Sequence, residues 1–93
     1  MGPFEWDARK SASNLDKHGI DFDDAIGIFD GYYFEYSSTR NEEERYVAVG
    51  EIEGVVLAVV YSARGETRRI ISARRARTNE ERAYYKALGR NPS

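Results

Sequence analysis

The spacing of apolar residues changes near residue 32, from a helical period to a period of two, and returns to helical near residue 78. Phe4-Glu5-Trp6 predicts a short opening strand. Asp7 is then placed to N-cap a helix with Ala8, Ala12 and Leu15 as its inward face, stopped by Gly19. On that helix Lys10, Asn14, Lys17 and His18 form a polar ridge turned away from the apolar residues. A second short helix is expected after Asp21, burying Phe22, Ala25, Ile26 and Phe29, with Asp23 and Asp24 facing its positive end and Asp30-Gly31 closing it.

From Tyr32 the pattern predicts four strands, over 32–36, 45–52, 55–63 and 67–74. A polar turn from Ser37 to Asn41 separates the first two, and the tight turns at 53–54 and 64–66 suit antiparallel hairpins. Residues 55–60 are apolar on both faces, so their strand is expected to lie centrally with something packed over each side. Thr78 with Glu81 reads as a capping box for a last helix carrying Arg82, Tyr84, Tyr85 and Leu88, ended by Gly89 and followed by a frayed tail at 90–93. The order predicts an α+β fold, an antiparallel meander with helices over one face. Parallel pairing is not expected, because the strand connections are too short for crossovers.

Composition bounds the function. A chain of 93 residues, 41% hydrophobic, suits one domain spanning 1–93. So small a core leaves a thin stability margin that a partner subunit would widen. No apolar run approaches a membrane span and no segment resembles a signal peptide, so a cytoplasmic location is expected. The absence of cysteine removes disulfides, thiolate metal sites and cysteine nucleophiles. The net charge of −2 conceals a division: residues 1–60 hold 5 Lys and Arg against 13 Asp and Glu, and residues 61–93 hold 9 against 3.

The basic part contains six arginines, Arg64, Arg68, Arg69, Arg74, Arg75 and Arg77, with no lysine and one acid, Glu66, among them. Guanidinium forks match phosphate oxygens in pairs and stack on bases, which points to RNA; a charged strand end that resists aggregation is the structural alternative. Strict alternation would put Arg68, Ile70, Ser72 and Arg74 on one face and Arg69, Ile71, Ala73 and Arg75 on the other. His18 is the only histidine, the one residue type that exchanges protons readily near neutral pH. It is the candidate proton-transfer group, with Lys17 beside it; a helix-capping or surface role is the alternative. Tyr61 and Tyr85 are candidate base-stacking residues, whereas Trp6 is expected in the core. No metal-ligand spacing, Gly-rich phosphate loop or nucleophile elbow is present, and no cofactor is expected.

Taken together, Phe4-Glu5-Trp6-Asp7, Lys10, Asn14, Lys17-His18-Gly19-Ile20, Phe22, Ala25, Phe29, Glu44-Arg45-Tyr46, Gly50, the run from Arg69 to Ala76, Glu81-Arg82 and Tyr85 resemble the BrnT family, toxins of type II toxin-antitoxin modules. The resemblance implies a RelE-like fold, a ribonuclease that arrests translation, and a DNA-binding antitoxin that covers the toxin, with heterotetramers possible and operon repression by both together. A metal-independent endoribonuclease is then expected, in which His18, Lys17, Arg64, Arg74 and Arg75 serve catalysis and Arg68, Arg69, Arg77, Tyr61 and Tyr85 hold RNA. A non-catalytic RNA- or antitoxin-binding module uses the same arginines and stays open at this point.

Overall fold

The computed structural model describes residues 3–89, so the expected tail at 90–93 lies outside the described residues. Strand β1 (Phe4–Glu5) leads to helix α1 (Ala8–His18), helix α2 (Phe22–Ala25) and a 3₁₀ turn (Ile26–Asp30). Strands β2 (Tyr33–Ser37), β3 (Arg45–Ile52), β4 (Val55–Arg64) and β5 (Thr67–Arg75) follow, and helix α3 (Thr78–Ala87) closes the described chain. The sheet order is β1-β5-β4-β3-β2. The meander β2 to β5 is antiparallel as expected, but β1 joins it parallel, Phe4 beside Arg68 and Glu5 beside Arg69. The intervening α1, α2 and meander are the crossover that adjacent strands lacked, so the sheet is mixed.

The helices cover both faces, not one. Phe22, Ala25, Ile28 and Phe29 pack with Ala48, Leu57, Val59, Tyr61, Ile70 and Ala73 on one side. On the other, Tyr84 of α3 packs with Val47, Val49, Val56 and Ala58. β4 contributes to both clusters, which is why its apolar run does not alternate. Gly50 permits the first side to close, because a Cβ there would lie 2.8 Å from Cβ of Ile28.

Further expectations are overturned, the first of them on α1. Leu15, assigned to the buried face of α1, is 47% exposed, and Ala8 and Ala12 are exposed too, while Asn14 of the polar ridge is buried. The side-chain amide of Asn14 donates to the carbonyl of Ala73 (2.7 Å) and to that of Ile20 (2.7 Å), and its Oδ1 accepts from the Ala73 N–H (3.2 Å). Beyond the short β1, Asn14 thus satisfies the free edge of β5 as a neighbouring strand would, and leaving those groups unpaired would cost more than exposing one leucine.

The second concerns β5, where Val60 faces Ser72 and Tyr61 faces Ile70, leaving Ile71 without an opposite residue. This bulge resets the alternation. Arg68 and Ile70 therefore share a face with Ala73 and Arg75, and Arg69 shares the opposite face with Ser72 and Arg74. The capping of α3 also shifts by one residue: Arg77 is the N-cap and Glu80 Oε1 accepts from its N–H (2.8 Å). Gly19 ends α1 as expected, at φ 72°, its N–H reaching the Leu15 carbonyl at 2.8 Å.

Candidate functional site

The clamp of Asn14 on Ala73, reinforced by the Phe22 N–H donating to Ser11 Oγ (3.0 Å), seats α1 along the outer edge of β5. The rest of the ridge then overhangs the strand. Lys10, Ser13, Lys17 and His18 line a groove of about 220 Å³ whose opposite wall is Ile71 and Ser72 of β5. The basic residues of the last turn, Lys17 and His18, are exposed at the negative end of the helix.

His18 also borders a second cavity of about 290 Å³, walled by Ile20, Ile52, Val55 and Leu57 and bearing Asp24 and Arg75. One imidazole thus separates a cationic groove from a largely apolar hollow. Arg75 reaches this side because of the bulge at Ile71.

On the opposite face a cleft of about 410 Å³ continues from the groove, sharing Ile71 and Ser72 with it. Val47 and Val60 contribute apolar surface and Arg40, Arg45, Arg74 and Arg77 contribute charge. Arg74 is held: its Nη1 and Nη2 donate to Glu80 Oε1 (2.7 Å) and Oε2 (3.0 Å). Burial alone would raise the proton affinity of Glu80, but the bonds from Arg74, the Arg77 N–H and the Tyr36 hydroxyl outweigh it and hold its pKa at about 2. Arg45 pairs with Glu43, and Arg40 and Arg77 are exposed without an ion-pair partner among the described residues.

The remaining predicted residues are distributed. Arg64 ends β4 at the hairpin, seven residues from Leu57, the partner of Arg75; at the rise of an extended strand that is about 23 Å, so the fold does not bring Arg64 and Arg75 together. Arg68 lies over Phe29, 4.6 Å from the ring centroid, and donates to the Tyr33 hydroxyl (3.0 Å). Arg69 pairs with Glu5 (3.2 Å).

Tyr61, expected to stack on bases, is 4% exposed, its ring packed against Phe29 and Tyr46. Burial, aided by donation to Glu35, pushes its pKa up to about 12. In this conformation it offers no ring face to a base. Tyr85 is half-buried against Tyr84, and Trp6 meets Phe22 edge-on at the core margin, as expected of it. Asp24, Arg40, Arg45 and Ser72 line the cavities without having been selected from the sequence as site residues, whereas Lys10 was marked only as part of the helix ridge. Their signal was tertiary, since Arg40 and Arg45 lie in the acidic part of the chain. Among the described residues no three His, Cys, Asp or Glu side chains group to hold a metal ion.

The family model for "Ribonuclease toxin, BrnT, of type II toxin-antitoxin system" matches residues 6–80, most of the chain. The chain belongs to the BrnT family. The crystal structure of the Brucella abortus ribonuclease toxin BrnT superposes with a TM-score of 0.63 at 29% identity, covering 84% of this chain and 100% of that one. A search of curated proteins found no match. The BrnT family consists of ribonuclease toxins of type II modules, so a cognate antitoxin accompanies the toxin activity. No described helix is long and apolar enough to cross a membrane.

Proposed function

We propose that this BrnT chain is a metal-independent endoribonuclease that cuts RNA by attack of a ribose 2′-hydroxyl on the adjacent phosphate. The observation that carries the reading is the placement of Lys17 and His18 together over the β5 edge, with Lys10 beside them and Arg75 beyond the imidazole. His18 accepts the 2′-hydroxyl proton as the oxygen attacks phosphorus. The bond to the 5′-oxygen breaks, that oxygen takes a proton from water, and the products are a 2′,3′-cyclic phosphate and a 5′-hydroxyl. Lys17 and Arg75 face the charge gathering on the non-bridging oxygens, and fixed cations at such a point lower the barrier more than they strengthen ground-state binding. The flanking phosphates run toward Arg40, Arg45 and Arg77, with Arg74 anchoring that wall through Glu80.

RNA incubated with the purified protein in excess EDTA yields fragments ending in cyclic phosphate. Intact RNA under these conditions, with tight salt-sensitive binding, would make the chain a binding module instead. In a cytoplasmic setting such cleavage arrests translation, and we assign neutralisation to a small DNA-binding antitoxin that covers the same cations, in a heterotetramer.

A further inference from the structure

The cavity on the far side of His18 differs chemically from the groove. Its walls are apolar, formed by Ile20, Ile52, Val55 and Leu57, and beside the His18 imidazole it bears one carboxylate, Asp24, and one guanidinium, Arg75. At about 290 Å³ it lies at the small end of ligand sites, which run from roughly 300 to 1,000 Å³, and suits a single flat heterocycle. Neither Asp24 nor Arg75 has an ion-pair partner among the described residues, and both are exposed.

We propose that this cavity is a guanine-selective base pocket for the nucleotide whose 2′-hydroxyl is activated, an inference that rests on the ribonuclease reading. In a nucleotide the ribose joins base to phosphate, and here His18 stands between the apolar cavity and the cationic groove. A base in the cavity and its 3′-phosphate beside Lys17 therefore put the ribose 2′-hydroxyl at the imidazole. The choice of base follows from the two charged groups. A carboxylate only accepts hydrogen bonds and a guanidinium only donates them. Guanine offers adjacent donors, N1–H and the N2 amino group, on one edge and two acceptors, O6 and N7, on another. Adenine lacks the paired donors, and the pyrimidines lack the second edge. Asp24 accepts from the donor edge, Arg75 donates to O6 and N7, and the aliphatic walls take the ring faces.

Two measurements test this. In the first, a mixed-sequence RNA is digested and its cyclic-phosphate ends are mapped. The parent protein is expected to cut after G, Asp24→Asn to lose that preference by about ten-fold or more, and Asp23→Asn, altering a neighbouring exposed carboxylate outside the cavity, to keep it. Cleavage without base preference, or a preference for G unchanged in Asp24→Asn, overturns the pocket while leaving the ribonuclease intact. In the second, 3′-GMP, 3′-AMP, 3′-CMP and 3′-UMP are titrated by NMR, which requires no turnover. Tighter binding of 3′-GMP by about ten-fold, abolished in Asp24→Asn, supports the pocket even if RNA is not cut. Equal binding of all four overturns it.

Discussion

At the start of β5 the Arg68 guanidinium lies over aromatic rings and bonds Tyr33, and Arg69 pairs with Glu5. At the end of the same strand Arg75 is exposed beside His18, and just beyond it Arg77 faces the cleft. The residue type is identical and the uses are opposite. At the first end, positive charge is consumed in closing the sheet on β1 and the 3₁₀ turn. At the second it is available to an anion. Arg74 is intermediate, pointed into the cleft yet gripped by Glu80. A cluster of arginines is therefore a poor unit of function, and the partners of each guanidinium decide its role.

This contrast is sharpest at the free end. His18→Ala is expected to lower RNA cleavage by about 10²- to 10⁴-fold while RNA binding changes little, as read by single-turnover kinetics and filter binding. An equal loss of both would reduce the free end to a grip. Arg75→Ala should slow cleavage and leave the melting temperature unchanged, whereas Arg68→Ala should lower the melting temperature and spare cleavage by the folded fraction.

The gripped arginine has its own signature in pH. Glu80 is held at about 2 in the fold against 4.5 unperturbed, so its contribution to stability is complete above about pH 5 and is lost as pH falls toward 2. That contribution is on the order of 3 kcal/mol. Denaturant titrations at stepped pH should show it, and Glu80→Gln should flatten that part of the curve. Asn14→Ala is expected to cost about 2 to 4 kcal/mol by orphaning the Ala73 peptide, whereas Leu15→Ser should change stability by less than about 0.5 kcal/mol. The reverse order would restore the apolar face that hydrophobic spacing assigned to α1. Smallest of all, Arg40→Ala or Arg77→Ala should weaken RNA binding across sequences and reduce the salt slope by about one.

Much of this architecture is legible in the chain. Strand and helix positions follow from period and turn residues, and the meander from its short connections, because those signals are local. The ridge of Lys10, Lys17 and His18 was visible as spacing, and the groove it lines with Ile71 and Ser72 shows what it overlooks. What escaped was set by events with no local mark. Asn14 is buried because a distant strand edge at Ala73 lacks a partner. One unpaired residue, Ile71, exchanges the faces of the flanking arginines, which strict alternation cannot foresee. Burial of Tyr61 depends on Phe29 and Tyr46 meeting it from separate elements. Arg40 and Arg45 were obscured by the acidic residues around them in sequence, although they face a basic cleft in space.

The amide of Asn14 has one more effect, on how this protein meets others. A sheet grows when an incoming strand finds a row of vacant peptide groups, and on this side the vacancy is short: β1 takes Arg68 and Asn14 takes Ala73. A foreign strand would have to evict a buried side chain and shift α1 to dock there. The β5 border is therefore closed to strand addition and left to the helix that carries His18, whereas β2 ends the sheet on its other side.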